Sequence, residues 1–220
     1  LRRLGTRPGV PPVVAGFHAL ERPGHVVDVG VTEDAPCLLL EPALARLWTR
    51  VRQGWGPDAR RLPPGGELRL TLRLVTGGEG LLLVEGGHGP GRPGELLEAV
   101  EGLEALWWTP GKGKPPRLLA GRDDLEESWY GERLPVRPGA FLQVNRHAAP
   151  FLHDLALQAL GARPGERILD AYAGFGVYGR AAARAGAQAV GIELDPGAVA
   201  MGRERPVKVR GGRNRRAPFR

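Results

Sequence analysis

The sequence predicts α/β with α+β: a mixed hairpin-and-helix N-terminal domain followed by the truncated start of a Rossmann-like domain. Two observations carry this. Through about the first 135 residues, short alternating or β-branched runs are separated by Pro-Gly turns and interrupted by two stretches at helical spacing. Residues 168–193, ILDAYAGFGVYGRAAARAGAQAVGIE, then read as strand, glycine-rich turn, small-residue helix and strand, with an acid closing each strand. The expected division is 1–135, 136–201 and a basic tail at 202–220.

Taken in order, residues 12–21 and 25–31 are β-rich and joined by Arg22-Pro23-Gly24, which predicts a hairpin turning there. After Cys37, the residues Leu40, Leu44, Leu47 and Val51 recur at helical spacing, and Pro42 fits because it falls in the first turn. Residues 67–76 alternate, Gly77-Gly78-Glu79-Gly80 turns, and 81–85 return as a second hairpin. A short helix is expected over 93–103, and strands over 105–109, 117–119 and 129–134. Adjacent Trp107 and Trp108 must face opposite sides of their strand, and a second packed face accounts for the outer one more simply than a base stacked on it. Asn145 is a plausible N-cap for a helix through 151–160 that Gly161 ends, with Pro150 oddly deep. His147 and His153 have no partner at zinc spacing and read as helix-surface residues.

Composition bounds the function classes. The apolar and charged fractions, 42% and 25%, are ordinary for a globular protein, and no apolar run or leader pattern marks a membrane span or signal peptide. A single cysteine excludes an internal disulfide framework, so a cytoplasmic protein is expected. The net charge of +7 lies entirely in residues 202–220, which hold eight Lys/Arg and one Glu. That tail lacks apolar periodicity and reads as disordered, either an RNA-binding arm or the product of a shifted reading frame. Nothing in the sequence implies an oligomer.

The glycine turn carries the chemistry. Gly174 and Gly176 let a ligand approach the backbone where a helix begins. Gly174-Phe175-Gly176-Val177-Tyr178-Gly179 fits the dinucleotide fingerprint, with Glu193 near the place of a ribose-binding acid, so NAD is one reading. In dinucleotide folds, however, the glycines usually follow the strand directly, whereas three residues separate Asp170 from Gly174. Asp170-x-x-x-Gly174-x-Gly176 resembles the first motif of class I S-adenosylmethionine methyltransferases. A sulfonium cofactor has no pyrophosphate but carries an amino-acid moiety, which gives a neighbouring carboxylate chemical sense. An ordinary glycine-rich βα turn is the third reading.

Ala140-Phe141-Leu142-Gln143-Val144-Asn145, a helix-like run and then this motif resemble the RNA uracil-C5 methyltransferases, which form 5-methyluridine in ribosomal and transfer RNA. The likeness extends over most of residues 10–200, with its specific motifs between Phe141 and Glu193. It implies S-adenosyl-L-methionine as cofactor and RNA as partner. The cofactor-binding residues it implies are Gln143 at the methionine end, Asp170, Tyr172, Gly174, Gly176, and Glu193 at the ribose. The family's usual cysteine after the aromatic is Ala173 here, and the asparagine of some members is Val177. The resemblance also makes Cys37, behind Val26-Val27-Asp28-Val29, a candidate iron-sulfur ligand in a longer parent protein. Four thiolates are needed and this chain has one, so a buried free cysteine is expected.

The family activates uracil by adding a cysteine thiolate to C6. Only 27 residues follow Glu193 and none is cysteine, so a fragment lacking its catalytic nucleophile and base is expected. The alternatives are a non-catalytic RNA-binding module and a Rossmann-type methyltransferase or NAD-binding protein of other specificity.

Overall fold

The computed structural model describes residues 1–5, 9, 11–30, 32, 37–111, 113–129, 132–138, 143, 145, 147–203 and 209–211. It divides into two units, Leu1–Pro138 and Gly139–Arg220.

In the first unit β1 (Arg2–Arg3) pairs with β2 (Val13–Val14), and β3 (Gly16–Ala19) pairs antiparallel with β4 (Arg22–Asp28). The hairpin forms, but it turns at Leu20 and Glu21 rather than at Arg22-Pro23-Gly24. Register slips between His18, opposite Val26, and Ala19, opposite Arg22, so Pro23 and Gly24 lie in a bulge of β4. A proline has no N–H for the ladder, and a two-stranded ribbon has free edges where a bulge costs little.

Helix α1 (Pro42–Gly54) starts on its proline, whose missing N–H no helical partner needs. It buries Leu47, Trp48 and Val51 against a four-stranded sheet of order β5-β6-β7-β8. The strands are β5 (Arg69–Leu74), β6 (Gly80–Glu85), β7 (Leu103–Thr109) and β8 (Arg117–Gly121). Only β6 and β7 are parallel, and α2 (Pro93–Ala99) makes the crossover between them. The expected helix therefore stops at Ala99, and the expected strand begins at Leu103. Leu82, Val84, Leu96, Val100 and Leu106 fill the core between sheet and helices. The other face holds Val75, Leu81, Ala105, Leu125 and Val136, with Trp107 packed against them. Trp108 is buried in the main core, so both adjacent tryptophans pack, on opposite faces. The single strand expected at 129–134 is instead two, β9 (Glu126–Trp129) and β10 (Glu132–Pro135), paired antiparallel.

One ion pair ties hairpin to helix. Arg52 Nη2 donates to Asp28 Oδ2 at 3.0 Å, and Nη1 donates to the Asp28 carboxylate and to the carbonyls of Ala15 and Val29. The guanidinium lies 5.0 Å from the Trp55 ring centroid, and Trp55 meets Trp48 edge-on at 6.0 Å.

At the end of β8, Gly121 has φ +87, and an added Cβ would stand 2.0 Å from the Glu104 carbonyl oxygen. Strain at such a backbone position is about 1–3 kcal/mol before the collision is counted. We expect Gly121→Ala to lower the thermal midpoint of the first unit by several degrees, read by circular dichroism.

The second unit begins with α3 (Ala148–Leu160), followed by β11 (Arg167–Ala171), α4 (Val177–Arg184), β12 (Gln188–Glu193), α5 (Pro196–Arg203) and β13 (Val209–Gly211). The three strands are parallel, in the order β11-β12-β13. Asn145 Oδ1 accepts from the N–H groups of His147 and Ala148, and Gly161 closes α3 in the left-handed region. Pro150 is the third helical residue, where no intrahelical N–H bond is lost. His153 is not a surface residue: it is 2% exposed and stacks on Tyr178 of α4 at 4.9 Å. The apolar residues Phe151, Leu152 and Leu155 of α3 point to solvent instead, and the helical pattern alone does not say which side meets α4.

On β11 and β12 the alternation is complete. Ile168, Asp170, Ala189 and Gly191 share one face, while Leu169, Ala171, Val190 and Ile192 form an exposed apolar face. Of the tail expected to be without structure, Val209–Gly211 forms the third strand; residues 204–208 and 212–220 lie outside the described residues.

Candidate cofactor site

The glycine turn lies at the C-terminal ends of two neighbouring parallel strands, the edge at which open α/β sheets bind ligands. Ala171 is paired with Ile192, and the chain leaves β11 through Tyr172 with φ +63. A tyrosine in the left-handed region is strained by about 1–3 kcal/mol, and such residues cluster at functional sites. Tyr172 is also 84% exposed, so its ring stands free above the turn. Gly174 (φ +56) and Gly176 (φ +85) adopt left-handed backbone that only glycine enters cheaply. An added Cβ at Gly174 would meet nothing within 4 Å, which leaves that stretch of backbone open to a ligand. Phe175 between them is buried and anchors the turn, with its carbonyl accepting from Arg180 Nη2 at 2.6 Å.

Both acids act on this turn. Glu193 Oε2 accepts from Gly174 N–H at 2.8 Å, and its Oε1 accepts from the N–H groups of Leu194 and Asp195 at 2.6 and 2.8 Å. The Asp195 N–H, with those of Gly174 and Leu194, holds its pKa below the ordinary glutamate value against a smaller desolvation effect. It is therefore a carboxylate at neutral pH, with lone pairs left for hydroxyl donors. Asp170 Oδ2 accepts from Gly179 N–H in the first turn of α4 at 3.0 Å. Burial pushes its pKa up, the Gly179 bond opposes this, and the Glu193 charge adds to the rise.

The structure thus brings Asp170, Tyr172, Gly174, Gly176 and Glu193 to one strand edge. Gln143 is exposed, and among the described residues no hydrogen bond joins it to the turn; Phe141, Leu142 and Val144 lie outside the described residues. Sequence reading missed α5, whose first turn is capped by Asp195 Oδ1 bonded to Ala198 N–H at 2.9 Å. The signal was present, because Asp195-Pro196 is an N-cap followed by proline at the first helical position. Cys37 is a half-buried free thiol, and among the described residues no group of three or more His, Cys, Asp or Glu is placed to hold a metal. No helix among the described residues is long and apolar enough to cross a membrane.

The third glycine of the fingerprint has a testable role. A Cβ on Gly179 would lie 3.4 Å from Asp170 Oδ2 and 3.7 Å from Ala189 Cβ, both ordinary contacts. Alanine is favoured over glycine in a helix by up to about 1 kcal/mol. Gly179→Ala should therefore leave the second unit as stable or slightly more so in a denaturant titration, unlike a position where helix and strand touch too closely for a methyl.

Comparison with known proteins finds relatives over part of the chain. It is 38% identical over 79 residues to the 23S rRNA (uracil(1939)-C(5))-methyltransferase RlmD of Alkalilimnicola ehrlichii, a segment covering 36% of this chain and 18% of that protein. The RlmD of Acidithiobacillus ferrooxidans is 41% identical over 75 residues, covering 34% and 17%. The matched segment is thus less than a fifth of each relative's length. Among solved structures, the Pyrococcus abyssi tRNA (uracil-54, C5)-methyltransferase in complex with S-adenosyl-L-homocysteine superposes with a TM-score of 0.64 at 18% identity. That likeness is one of fold, and it covers 86% of this chain and 49% of that one. No protein-family model matches the chain. The resemblance to RNA uracil-C5 methyltransferases holds in sequence over the matched segment and in fold over most of the chain.

Proposed function

We propose that this chain contains the S-adenosyl-L-methionine half-site of a methyltransferase that forms 5-methyluridine in ribosomal or transfer RNA. The observation that carries the reading is the open glycine turn latched by Glu193 at the ends of two parallel strands. The residues fit the cofactor. Glu193 is ionised and faces the turn, where it would take the ribose hydroxyls; Gly174 and Gly176 give backbone access; Tyr172 would line the amino-acid and sulfonium end, the end to which the family resemblance assigns Gln143. When bound, the sulfonium supplies an electrophilic methyl group.

Methyl transfer to uracil C5 also needs a nucleophile on C6 and a base for the C5 proton. The only thiol of these 220 residues is Cys37, which belongs to the first unit. The reading therefore gives this chain cofactor binding and part of an RNA platform, with the nucleophile supplied by sequence it does not contain. The basic residues of 202–220 would add salt-dependent, sequence-indifferent affinity for phosphates.

Isothermal titration with S-adenosylhomocysteine and with NAD tests the reading. We expect the nucleoside thioether to bind and NAD not to; preferential NAD binding would overturn it. Incubating the chain with labelled S-adenosylmethionine and unmodified ribosomal or transfer RNA should yield no 5-methyluridine. Product that depends on Cys37 would overturn the reading that the nucleophile lies outside these 220 residues.

A further inference from the structure

One oxygen of the Asp170 carboxylate is already engaged. Its Oδ2 accepts from the N–H of Gly179, the third residue of α4 and one of the first-turn donors that find no carbonyl within a helix. A negative side chain here satisfies that donor and opposes the positive end of the helix dipole. The same turn of α4 is tied to the glycine turn, since Gly176 is its N-cap and the Gly176 carbonyl accepts from Arg180 N–H at 2.9 Å. The segment that would meet a ligand is therefore held from both strands: Glu193 of β12 fixes Gly174, and Asp170 of β11 fixes the turn that begins at Gly176. Asp170 shares a strand face with Ile168, the face covered by α4, and its side chain is half-buried.

We propose that Asp170 is a positioning residue, which sets the first turn of α4 and the end of the glycine turn through Gly179 and does not itself bind the amino-acid end of the ligand. This deepens the reading of the site as an S-adenosylmethionine pocket and rests on it. A direct ligand of the ammonium group would matter only for compounds that carry that group. A residue that sets the turn matters for every nucleoside the turn receives.

The experiment compares S-adenosylhomocysteine with 5′-methylthioadenosine, which lacks the amino-acid moiety, by calorimetry on the 220-residue chain, Asp170→Ala and Asp170→Asn. Amide hydrogen exchange at Gly179 is measured by NMR in each without ligand. Asp170→Ala should weaken both ligands by the same factor, about tenfold or more, and should speed exchange at Gly179. Asp170→Asn, whose amide oxygen still accepts the Gly179 N–H, should keep both affinities within about threefold and keep the protection. Loss of S-adenosylhomocysteine binding with 5′-methylthioadenosine unchanged, in either variant, would overturn the proposal. So would unaltered exchange at Gly179 in Asp170→Ala. Should Asp170→Ala unfold the second unit, the asparagine variant alone decides between equal retention and selective loss. If the parent chain binds neither nucleoside, it is the cofactor reading that falls, and Gly179 exchange still reports whether Asp170 holds α4.

Discussion

Arg52→Ala should destabilise the first unit by roughly 3–5 kcal/mol, the cost of breaking a buried ion pair from one side. The guanidinium side chain is 7% exposed and is the shared donor for Asp28 and the Ala15 and Val29 carbonyls. Its removal takes the countercharge from a carboxylate that keeps only the Ala15 N–H, and strips one donor from the Ala15 and Val29 carbonyls, which keep the Val29 N–H and the Trp48 indole N–H. For a unit of this size the loss is a fall of roughly 10–20 °C in thermal midpoint. Asp28→Asn should cost less, because an amide oxygen still accepts from the guanidinium. Calorimetric melts of the two variants check the order, and equal losses would show that charge rather than hydrogen bonding holds the hairpin to α1.

Glu193→Ala should weaken S-adenosylhomocysteine binding roughly tenfold to a hundredfold, the range expected for one lost charge-assisted hydrogen bond of about 1.5–3 kcal/mol. Two losses combine in this change. The ribose hydroxyls would lose an acceptor, and Gly174, Leu194 and Asp195 lose the carboxylate that orders their N–H groups. Glu193→Gln keeps one acceptor oxygen and should fall between. Titration calorimetry decides it, and unchanged affinity in the alanine variant would remove Glu193 from the site.

Much of the fold was legible because local chemistry and burial agree. Pro42 opens α1, the alternation at 67–85 gives β5 and β6, and Glu193 ends β12 as the pattern of 168–193 predicts, while β11 runs one residue past Asp170 to Ala171. The misses come where partners far along the chain decide. The first hairpin turns ahead of Pro23-Gly24 because a bulge absorbs the proline, which no local turn rule foresees. His153 is buried because Tyr178, on another helix, stacks on it. At the site, the residue types and spacing gave the turn and both acids, but not what each carboxylate bonds. That Asp170 faces α4 follows from strand register and helix placement, and neither is written in the motif itself.

The Trp48 and Trp55 pair around Arg52 has an optical consequence. All five tryptophans of the chain, at 48, 55, 107, 108 and 129, fall within Leu1–Pro138, and the second unit has none. Emission excited at the red edge of indole absorption therefore follows the first unit alone, whatever happens at the glycine turn. Tyr172 and Tyr178 supply the second unit's aromatic signal, and replacing Tyr130, the one tyrosine of the first unit, with phenylalanine makes the tyrosine channel the second unit's own. A single denaturation series read in both channels would resolve whether the two units lose structure together or in turn.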